Sequence, residues 1–311
     1  MLKKIFYLIK SFIPRKVQIS LRRVLVQKQV RKYQSIWPIY PGSEIRPNYL
    51  RGWPGDKKFA FVLTHDVEHQ RGYDRVLHLM KIEKEMGFVS SFNFVPERDY
   101  AVESELLSKL KMNGFEVGVH GLHHDGKLFQ NEKLFFERAK KINQYLLEWN
   151  AVGFRAPSMH HNLELIGSLN LEYDLSTFDT DPFEPQSDGV NTIYPFWVNG
   201  GNQNGGYVEI PYTMVQDFTL FVLMKERTID IWKKKLDWIA DKGGMALLNI
   251  HPDYLNFENQ YSLEEFPVKH YIELLEYVKS RYEGKYWHAL PKEVANFVKL
   301  RYSDKPVSTA D

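Results

Sequence analysis

From about residue 58 onward, short apolar runs alternate with longer stretches in which apolar residues recur every three or four positions. Such runs are typical of buried strands, and the longer spacing is typical of amphipathic helices. Strands are predicted over residues 59–68, 88–95, 115–120, 152–156, 173–177, 207–212, 245–251 and 286–289. Helices are predicted in the intervals, over residues 74–86, 103–112, 133–149, 225–241, 264–281 and 291–301. This α/β alternation indicates a parallel sheet, and about seven βα units in about 250 residues favour one (β/α) barrel over two domains.

The first 36 residues follow a different pattern, that of a basic amphipathic helical arm. Two helical stretches are predicted on either side of Pro14, the second over residues 17–32, and each has one apolar face. Residues 37–57 are rich in Pro and Gly and are predicted to form a linker. Residues 58–302 are predicted to form the barrel, and residues 303–311 a disordered tail.

The charge of the chain is divided into two regions of opposite sign. Residues 1–43 hold ten Lys or Arg and no acidic residue, whereas the rest of the chain holds 31 basic and 39 acidic residues. A basic amphipathic arm (residues 1–36) suits an anionic membrane surface, where each cation adds about 1 kcal/mol. The alternative is a pair of helices packed on the barrel with their cations in solvent. Because the acidic remainder would repel phosphates, we expect no nucleic-acid partner.

Composition also excludes several classes of protein. The chain contains no cysteine, which rules out disulfides, a cysteine nucleophile and thiolate metal sites. No apolar run approaches the ~18–20 residues of a transmembrane segment. Lys10 interrupts the apolar run of the arm before it reaches the length of a signal peptide's apolar region. We therefore expect a cytoplasmic protein, peripheral on the inner face of the membrane.

Polar residues follow the predicted strands at their carboxyl ends, where parallel barrels and sheets place their sites. Asp66 and Glu68 share one face of the first strand, because side chains alternate between the two faces. Two carboxylates on one face repel unless a cation or a proton lies between them. His120 and His124 follow the third strand, and they share a side if the chain turns into a helix there. This spacing is common among ligands of zinc and other transition metals.

Two more residues end strands at the same edge. Arg155 ends the fourth strand, where a guanidinium can hold a neighbouring carboxylate ionised; a surface ion pair is the alternative. His251 ends the apolar strand predicted over residues 245–251, and it is either a site residue or a hydrogen-bonded core residue.

Taken in order, four fragments resemble the motifs of the polysaccharide deacetylases, the carbohydrate esterase family 4 group that includes chitin and peptidoglycan deacetylases. The fragments are THD at residues 64–66, HGLHH at 120–124, RAP at 155–157 and LNIH at 248–251. The resemblance covers residues 58–300 and implies a distorted (β/α) barrel. It also implies a divalent metal cofactor, which we expect to be zinc, with cobalt, nickel or manganese as alternatives.

The resemblance assigns roles to the residues that match these motifs. Asp66 becomes the catalytic base, His251 the general acid and Arg155 the partner of the base, with Pro157 of the same motif in support. The acidic segment that tunes the acid histidine in the family corresponds to Asp179 or Asp181, and the sequence leaves both open.

The resemblance also makes His120 and His124 metal ligands, but the chain departs from the family at two positions. The family's second metal-binding acid falls at Val67, which cannot coordinate, so Glu68 is the expected substitute. Gly121 stands where the family has Ser or Thr, so a supporting hydroxyl is missing.

These features predict a metal-dependent hydrolase that removes N-acetyl or O-acetyl groups from a sugar in a polysaccharide, a glycan precursor or a lipid-linked glycan. The segment between Asp181 and Tyr212 is rich in Gly, Asn and aromatic residues, which either stack on sugar rings or only cover the rim. Two alternatives stay open. One is a catalytically inactive glycan-binding or scaffold protein at the membrane surface, and the other is an amidohydrolase acting on a small non-sugar amide.

Overall fold

The computed structural model describes residues 15–201, 205–258 and 262–303. The first predicted helix of the basic arm lies outside the described residues, as does the predicted tail beyond Ser303. The other predicted strands and helices fall within them.

Within the described residues, one curled sheet contains most of the strands. Its strands are β1 Phe59–Val67, β2 Ser91–Phe94, β3 Glu116–His120, β4 Gly153–Arg155, β5 Tyr173–Asp174, β6 Phe196–Asn199, β7 Gly206–Glu209, β8 Met245–Ile250 and β11 Tyr286–His288. A separate small pair consists of β9 Leu255–Asn256 and β10 Phe266–Pro267.

Helices occupy most of the connections between these strands. They are α1 Arg15–Tyr33, α2 Gln70–Glu85, α3 Ser104–Met112, α4 Glu132–Glu148, α5 Leu163–Ile166, α6 Asp230–Lys242, α7 Lys269–Tyr282 and α8 Pro291–Ser303. A π-helix spans Phe218–Leu223, and short 3-10 turns span Pro54–Asp56, Pro157–Met159 and Pro252–Tyr254. None of the helices in the described part of the chain is long and apolar enough to cross a membrane.

The sheet curls into a barrel of parallel strands. Strands β8, β1, β2, β3, β4, β5 and β7 pair in that order, and every one of these pairs is parallel. The backbone N–H groups of Thr213 and Met214, which follow β7, donate to the Leu247 carbonyl in β8 at 3.1 and 3.0 Å. β6 is an antiparallel neighbour of β7, and β11 runs parallel to the start of β1. The predicted distorted (β/α) barrel of parallel strands is therefore confirmed.

The central strand β1 is buried over its whole length because its two faces pack against different layers. On the outer face, His65 Nε2 lies 2.6 Å from Glu83 Oε1 of α2. On the inner face, the Thr64 hydroxyl lies 3.2 Å from Asn249 Oδ1 of β8. Since faces alternate along a strand, Asp66 points into the barrel.

Helix α1 confirms the second predicted helix of the basic arm. It packs on the barrel through Ile19 and Val26, which are both buried. Residues 37–57 were predicted as a linker, and three of them, Trp37, Leu50 and Trp53, are buried in the same hydrophobic core.

The element boundaries differ most from the predictions after β7. The helix predicted over 225–241 begins at Asp230, and the buried π-helix Phe218–Leu223 precedes it. The helix predicted from residue 264 begins at Lys269, because Phe266–Pro267 pairs with β9 instead. Strand β6 lies in a segment that was predicted as a loop.

Candidate active site and metal centre

The polar residues predicted from the strand ends meet at the carboxyl end of the barrel. Asp66 and Glu68 come from the end of β1, His120 from the end of β3, Arg155 from the end of β4 and His251 from the residue after β8. Parallel strands bring their carboxyl ends to one edge, which is why residues far apart in the chain converge here.

Asp66 is a buried carboxylate surrounded by donors. Asn93 Nδ2 and Arg155 Nη1 each donate to its Oδ1 at 3.0 Å, and Asn249 Nδ2 donates to its Oδ2 at 2.8 Å. Burial alone would raise the pKa of the Asp66 carboxyl. The charge of Arg155, together with the nearby His120 and His251 and the hydrogen bond from Asn93, instead holds that pKa well below its usual range. Asp66 is therefore ionised at neutral pH.

The guanidinium of Arg155 is fixed at the centre of the barrel. Its Nε donates to the Leu175 carbonyl at 2.9 Å, and its Nη1 also donates to Asn249 Oδ1 at 2.6 Å and to the Thr64 hydroxyl at 3.0 Å. The side chain is fully buried. Arg155 therefore pairs with Asp66 inside the barrel, and the alternative of a surface ion pair is wrong.

Glu68, His120 and His124 form a three-residue cluster that could hold a metal ion. One ligand atom from each residue lies within 4.8 Å of the others. The rings of His120 and His124 have their centroids 5.3 Å apart. Each side chain offers a ligand atom of the type that binds Zn²⁺ and neighbouring transition metals.

The condition on which His120 and His124 would share a side by helical spacing is not met, because the chain does not turn into a helix between them. Residues 122–126 form bends, and Gly121, which precedes them, has φ of +65°. A Cβ at this glycine would lie 2.6 Å from the ring of Pro157. The Ser or Thr of the family pattern is therefore absent because this turn has no room for it.

The protonation pattern of the cluster fits a metal ion. His120 Nδ1 lies 3.1 Å from the Arg155 carbonyl, and because a carbonyl only accepts, Nδ1 carries the proton. Among the described residues, the Nε2 atoms of His120 and His124 are buried without a hydrogen-bond partner. Burial, and to a lesser extent the neighbouring His124 and Arg155, lower the pKa of His120 to about 4 even though Asp66 and Glu68 oppose the shift. A neutral ring with a free, inward-facing Nε2 is the form that binds a metal.

Glu68 is held in place by the turn that follows β8. Asp253 Oδ2 accepts from the Glu68 backbone N–H at 2.9 Å, and the Tyr254 hydroxyl donates to Glu68 Oε2 at 2.8 Å. The other carboxylate oxygen, Oε1, lies 2.8 Å from His124 Nε2. Glu68 Oε1 and His124 Nε2 therefore form a close pair of the two atom types, a carboxylate oxygen and an imidazole nitrogen, that coordinate Zn²⁺.

His251 lies near Asp66 and is supported by Asp217. Its Nδ1 is 2.7 Å from Asp217 Oδ1, and its backbone N–H donates to Asp217 Oδ2 at 2.8 Å. The other ring nitrogen, Nε2, is 4.0 Å from Asp66 Oδ2. Burial opposes a charged ring, but the charge and hydrogen bond of Asp217, with Glu68 and Asp66 nearby, raise the pKa of His251 to about 10.

Neither Asp179 nor Asp181, the two sequence candidates for supporting His251, fills that position. Asp179 pairs with Lys235, and Asp181 accepts from the Tyr212 hydroxyl at 3.0 Å. Both follow β5, whereas His251 follows β8, and the segment after β7 lies between them. Asp217 belongs to that segment. Its position directly before an apolar helical run is the one sequence signal that could have identified it, as a helix-capping carboxylate.

Most aromatic residues of the segment between Asp181 and Tyr212 are not placed for stacking on a sugar. Trp197 stacks on Tyr302 of α8 with centroids 5.4 Å apart, and the hydroxyls of Tyr194 and Tyr207 donate to backbone carbonyls. β7 begins at Gly206, and the amino end of this parallel strand lies at the opposite end of the barrel from the site. For these three aromatic residues, the stacking interpretation is wrong.

Solved structures of similar fold include a protein assigned as a polysaccharide deacetylase from Mycobacterium smegmatis. Its TM-score is 0.60 at 20% identity, over 81% of this chain and 93% of that one. A protein assigned likewise from Pseudomonas aeruginosa PAO1 has a TM-score of 0.59 at 17% identity, over 83% of this chain and 97% of that one. Puue allantoinase has a TM-score of 0.58 at 16% identity, over 83% and 96%. No protein-family model and no curated protein matches the chain. The chain thus has the fold of the polysaccharide deacetylases, as its sequence motifs predicted.

Proposed function

We propose that this chain is a metal-dependent hydrolase that removes acetyl groups from a carbohydrate. The observation that carries the proposal is the arrangement around Asp66, an ionised carboxylate that lies close to both a candidate metal cluster and a protonated histidine. His120, whose Nε2 belongs to the cluster, and His251 both lie close enough to Asp66 to lower the pKa of its carboxyl. Hydrolysis of an acetamide requires an electrophile, a base and an acid, and the metal cluster, Asp66 and His251 would supply them in that order.

Glu68, His120 and His124 would hold the metal, which we expect to be zinc. When bound there, a divalent metal polarises the acetyl carbonyl and lowers the pKa of water. Cobalt, nickel and manganese accept the same nitrogen and oxygen donors. The Glu68 substitution for the family's acid at Val67 keeps one carboxylate in the ligand set.

Asp66 acts as the general base. Its carboxylate is ionised and held by Arg155, Asn93 and Asn249, so it is oriented before substrate arrives. Asp66 accepts a proton as water attacks the acetyl carbonyl carbon. The low pKa of Asp66 makes it a weak base. It can therefore take a proton from water whose own pKa is lowered, but not readily from bulk water.

His251 acts as the general acid. Because its pKa is raised, the ring carries the proton at Nε2 at neutral pH, while Nδ1–H donates to Asp217. The Nε2 proton passes to the leaving nitrogen as the C–N bond breaks, and the products are acetate and a free amino sugar. With an O-acetyl substrate, the same proton goes to the leaving oxygen.

The substrate in this proposal is an acetylated sugar of a polysaccharide or a glycan precursor, handled at the inner face of a membrane. The charge of the N-terminal residues supports the membrane location, since residues 1–43 hold ten cations and no acid. Similarity of fold to two proteins assigned as polysaccharide deacetylases supports the carbohydrate.

Release of acetate is the direct test. The purified chain with one equivalent of Zn²⁺ would be incubated with acetylated oligosaccharides and acetylated nucleotide sugars, for which acetate is measured. It would also be incubated with small non-sugar amides such as allantoin, for which loss of the amide is measured. We expect acetate from the carbohydrates and no hydrolysis of the small amides. Hydrolysis of the amides alone would replace this proposal with the amidohydrolase alternative. No hydrolysis of any substrate, together with no bound metal, would favour the inactive binding protein.

A further inference from the structure

Helix α1 exposes an unusual apolar stripe to solvent. Val17, Leu21, Val24 and Leu25 are 46–56% exposed, although they are large aliphatic side chains. Their spacing of four, three and one places them on a single face of the helix. We refer to these four residues as the apolar stripe.

The same face continues into cations. Lys28, Arg31 and Lys32 are exposed and follow the stripe at the spacing that keeps them on its side of the helix. No acidic residue occurs in α1. This outer face therefore presents the two kinds of group that an anionic bilayer binds, exposed apolar side chains and Lys or Arg cations.

The opposite face of α1 is anchored to the segment that supports His251. Arg23 Nε donates to the Val222 carbonyl at 2.8 Å, and its Nη2 donates to the Leu263 carbonyl at 2.6 Å. The guanidinium of Arg22 lies 5.0 Å from the ring centroid of Phe218, the residue next to Asp217. The orientation of the helix on the barrel is therefore fixed by contacts on its inner side.

A short series of ring contacts connects α1 with the active site. Phe218 lies 4.8 Å from Tyr254, and Tyr254 lies 5.2 Å from His251, both measured between ring centroids. A helix with its side chains is about 10 Å across. The apolar stripe is on the outer side of α1, and it therefore lies roughly one helix diameter beyond Phe218.

We propose that the apolar stripe and the cations beside it bind an anionic lipid bilayer, and that the barrel mouth consequently works next to the lipid headgroups. The substrate class that fits this placement is the acetylated sugar headgroup of a membrane lipid, a part of the inference that rests on the proposed function. A sugar linked to a lipid in the same bilayer reaches the mouth by lateral diffusion, whereas a soluble glycan gains nothing from the docking.

Charge favours the bilayer over two other occupants of this face. Residues 1–14 carry Lys3, Lys4 and Lys10 and no acid, so packing them on the stripe would place like charges beside Lys28 and Arg31. A second copy of the chain bound through the same face would bring two cationic surfaces together. Anionic headgroups are the occupant of opposite charge.

Co-sedimentation of the full chain with vesicles tests the docking. We expect binding to vesicles of phosphatidylcholine with 25% phosphatidylglycerol, weaker binding at high salt, and little binding to phosphatidylcholine alone. Leu21→Glu/Leu25→Glu and Lys28→Glu/Arg31→Glu should each weaken binding at least roughly tenfold. Met112→Glu/Leu147→Glu is the matched control, because Met112 and Leu147 are exposed apolar residues of α3 and α4. This control should bind as the unmodified chain does.

Several results would overturn the docking. Equal binding by the Leu21/Leu25 variant and the control would show that the stripe does not contact lipid. A second copy would be the occupant of the stripe if the unmodified chain does not bind vesicles and is a dimer in light scattering, whereas the Leu21/Leu25 variant is a monomer. No vesicle binding, with a lower melting temperature in that variant but not in the control, would place residues 1–14 on the stripe. Circular dichroism establishes that each variant is folded.

A second assay separates the docking from the chemistry. Acetate release would be measured from N-acetylglucosamine joined to a two-chain lipid in anionic vesicles, and from a soluble N-acetylglucosamine oligomer. We expect faster release from the lipid-linked sugar, and Leu21→Glu/Leu25→Glu should remove that advantage while leaving the soluble rate unchanged. Equal rates on both substrates would refute the substrate class. Vesicle binding without acetate from either substrate would refute the proposed function and leave the docking intact.

Discussion

Replacing Asp217 with Asn should shift the pH dependence of catalysis by altering His251. The two side chains are 2.7 Å apart and both are buried. Charges about 4 Å apart interact by about 4 kcal/mol at an effective dielectric constant of about 20. That energy corresponds to about 3 pK units at about 1.4 kcal/mol per unit. Without the Asp217 charge, the pKa of His251 should therefore fall from about 10 to about 7.

The sign of the effect on activity follows from the role of His251 as an acid. The unmodified chain keeps the ring protonated across the neutral range, so kcat should not fall from loss of this proton until the pH approaches about 10. In Asp217→Asn the ring loses its proton above about pH 7, so kcat should be nearly normal at pH 6 and roughly thirtyfold lower at pH 8.5. Acetate release measured from pH 5.5 to 9.5 gives both profiles.

A matched control distinguishes Asp217 from the candidates that the sequence offered. Asp181 is also buried, but it contacts Tyr212 and not His251. Asp181→Asn should therefore keep the profile of the unmodified chain, whatever its effect on stability. An Asp217→Asn profile that falls at the same pH as the unmodified chain, or an Asp181→Asn profile that shifts instead, would refute the reasoning.

In the metal-free chain, the free energy of unfolding should also decrease as the pH rises, because His251 loses its proton. A raised pKa of His251 means that its contribution to the free energy of unfolding is complete below about pH 6.5 and is lost as the pH rises towards about 10. Urea unfolding of the metal-free chain at pH 6 and pH 9 should show a larger loss between these values in the unmodified chain than in Asp217→Asn.

Three further predictions concern the site. Asp66→Asn should abolish acetate release while the metal stays bound, as measured by metal analysis after gel filtration; full activity would exclude Asp66 as the base. Zn²⁺ at about 100 times its Kd should stabilise the chain by about 2.7 kcal/mol in thermal unfolding. His124→Ala should lose this stabilisation and His123→Ala should keep it, and equal responses would place the metal elsewhere. Gly121→Ser should destabilise the chain more than Gly126→Ser, because both glycines have positive φ but only the first has a proline ring in the way; equal melting temperatures would contradict the crowding at Gly121.

Some of the site could be predicted because its residues are placed by local pattern. The alternation of side chains along a strand orients Asp66 and Glu68 towards the same side as Thr64, whatever packs around them. His120 and Arg155 end neighbouring parallel strands, so they meet at one edge in any parallel sheet that keeps these strands adjacent. For such residues, the pattern of apolar positions and the rule for parallel strands were enough.

The residues that support the site could not be predicted in this way. Asp217 reaches His251 from 34 positions away, and Asn249 reaches Asp66 across 183 positions. A capping position identifies Asp217 as a helix-capping residue and a strand position identifies Asn249 as a strand residue, but neither local sequence indicates the distant partner. The assignment of Asp179 or Asp181 came from the order of motifs along the chain, and that order does not show that the segment after β7, rather than the segment after β5, supplies the carboxylate beside His251.

The sequence by itself thus determined the alternation of strands and helices, the parallel barrel, the strand ends that carry the candidate ligands and the cationic character of the N-terminal region. These properties depend on spacing along the chain, which is visible in a single sequence. The tertiary structure alone decided which carboxylate supports His251, why Gly121 replaces a hydroxyl residue and which face of α1 remains in solvent. Those outcomes depend on which distant segments pack against one another, and packing is decided by the shape and burial of the whole barrel.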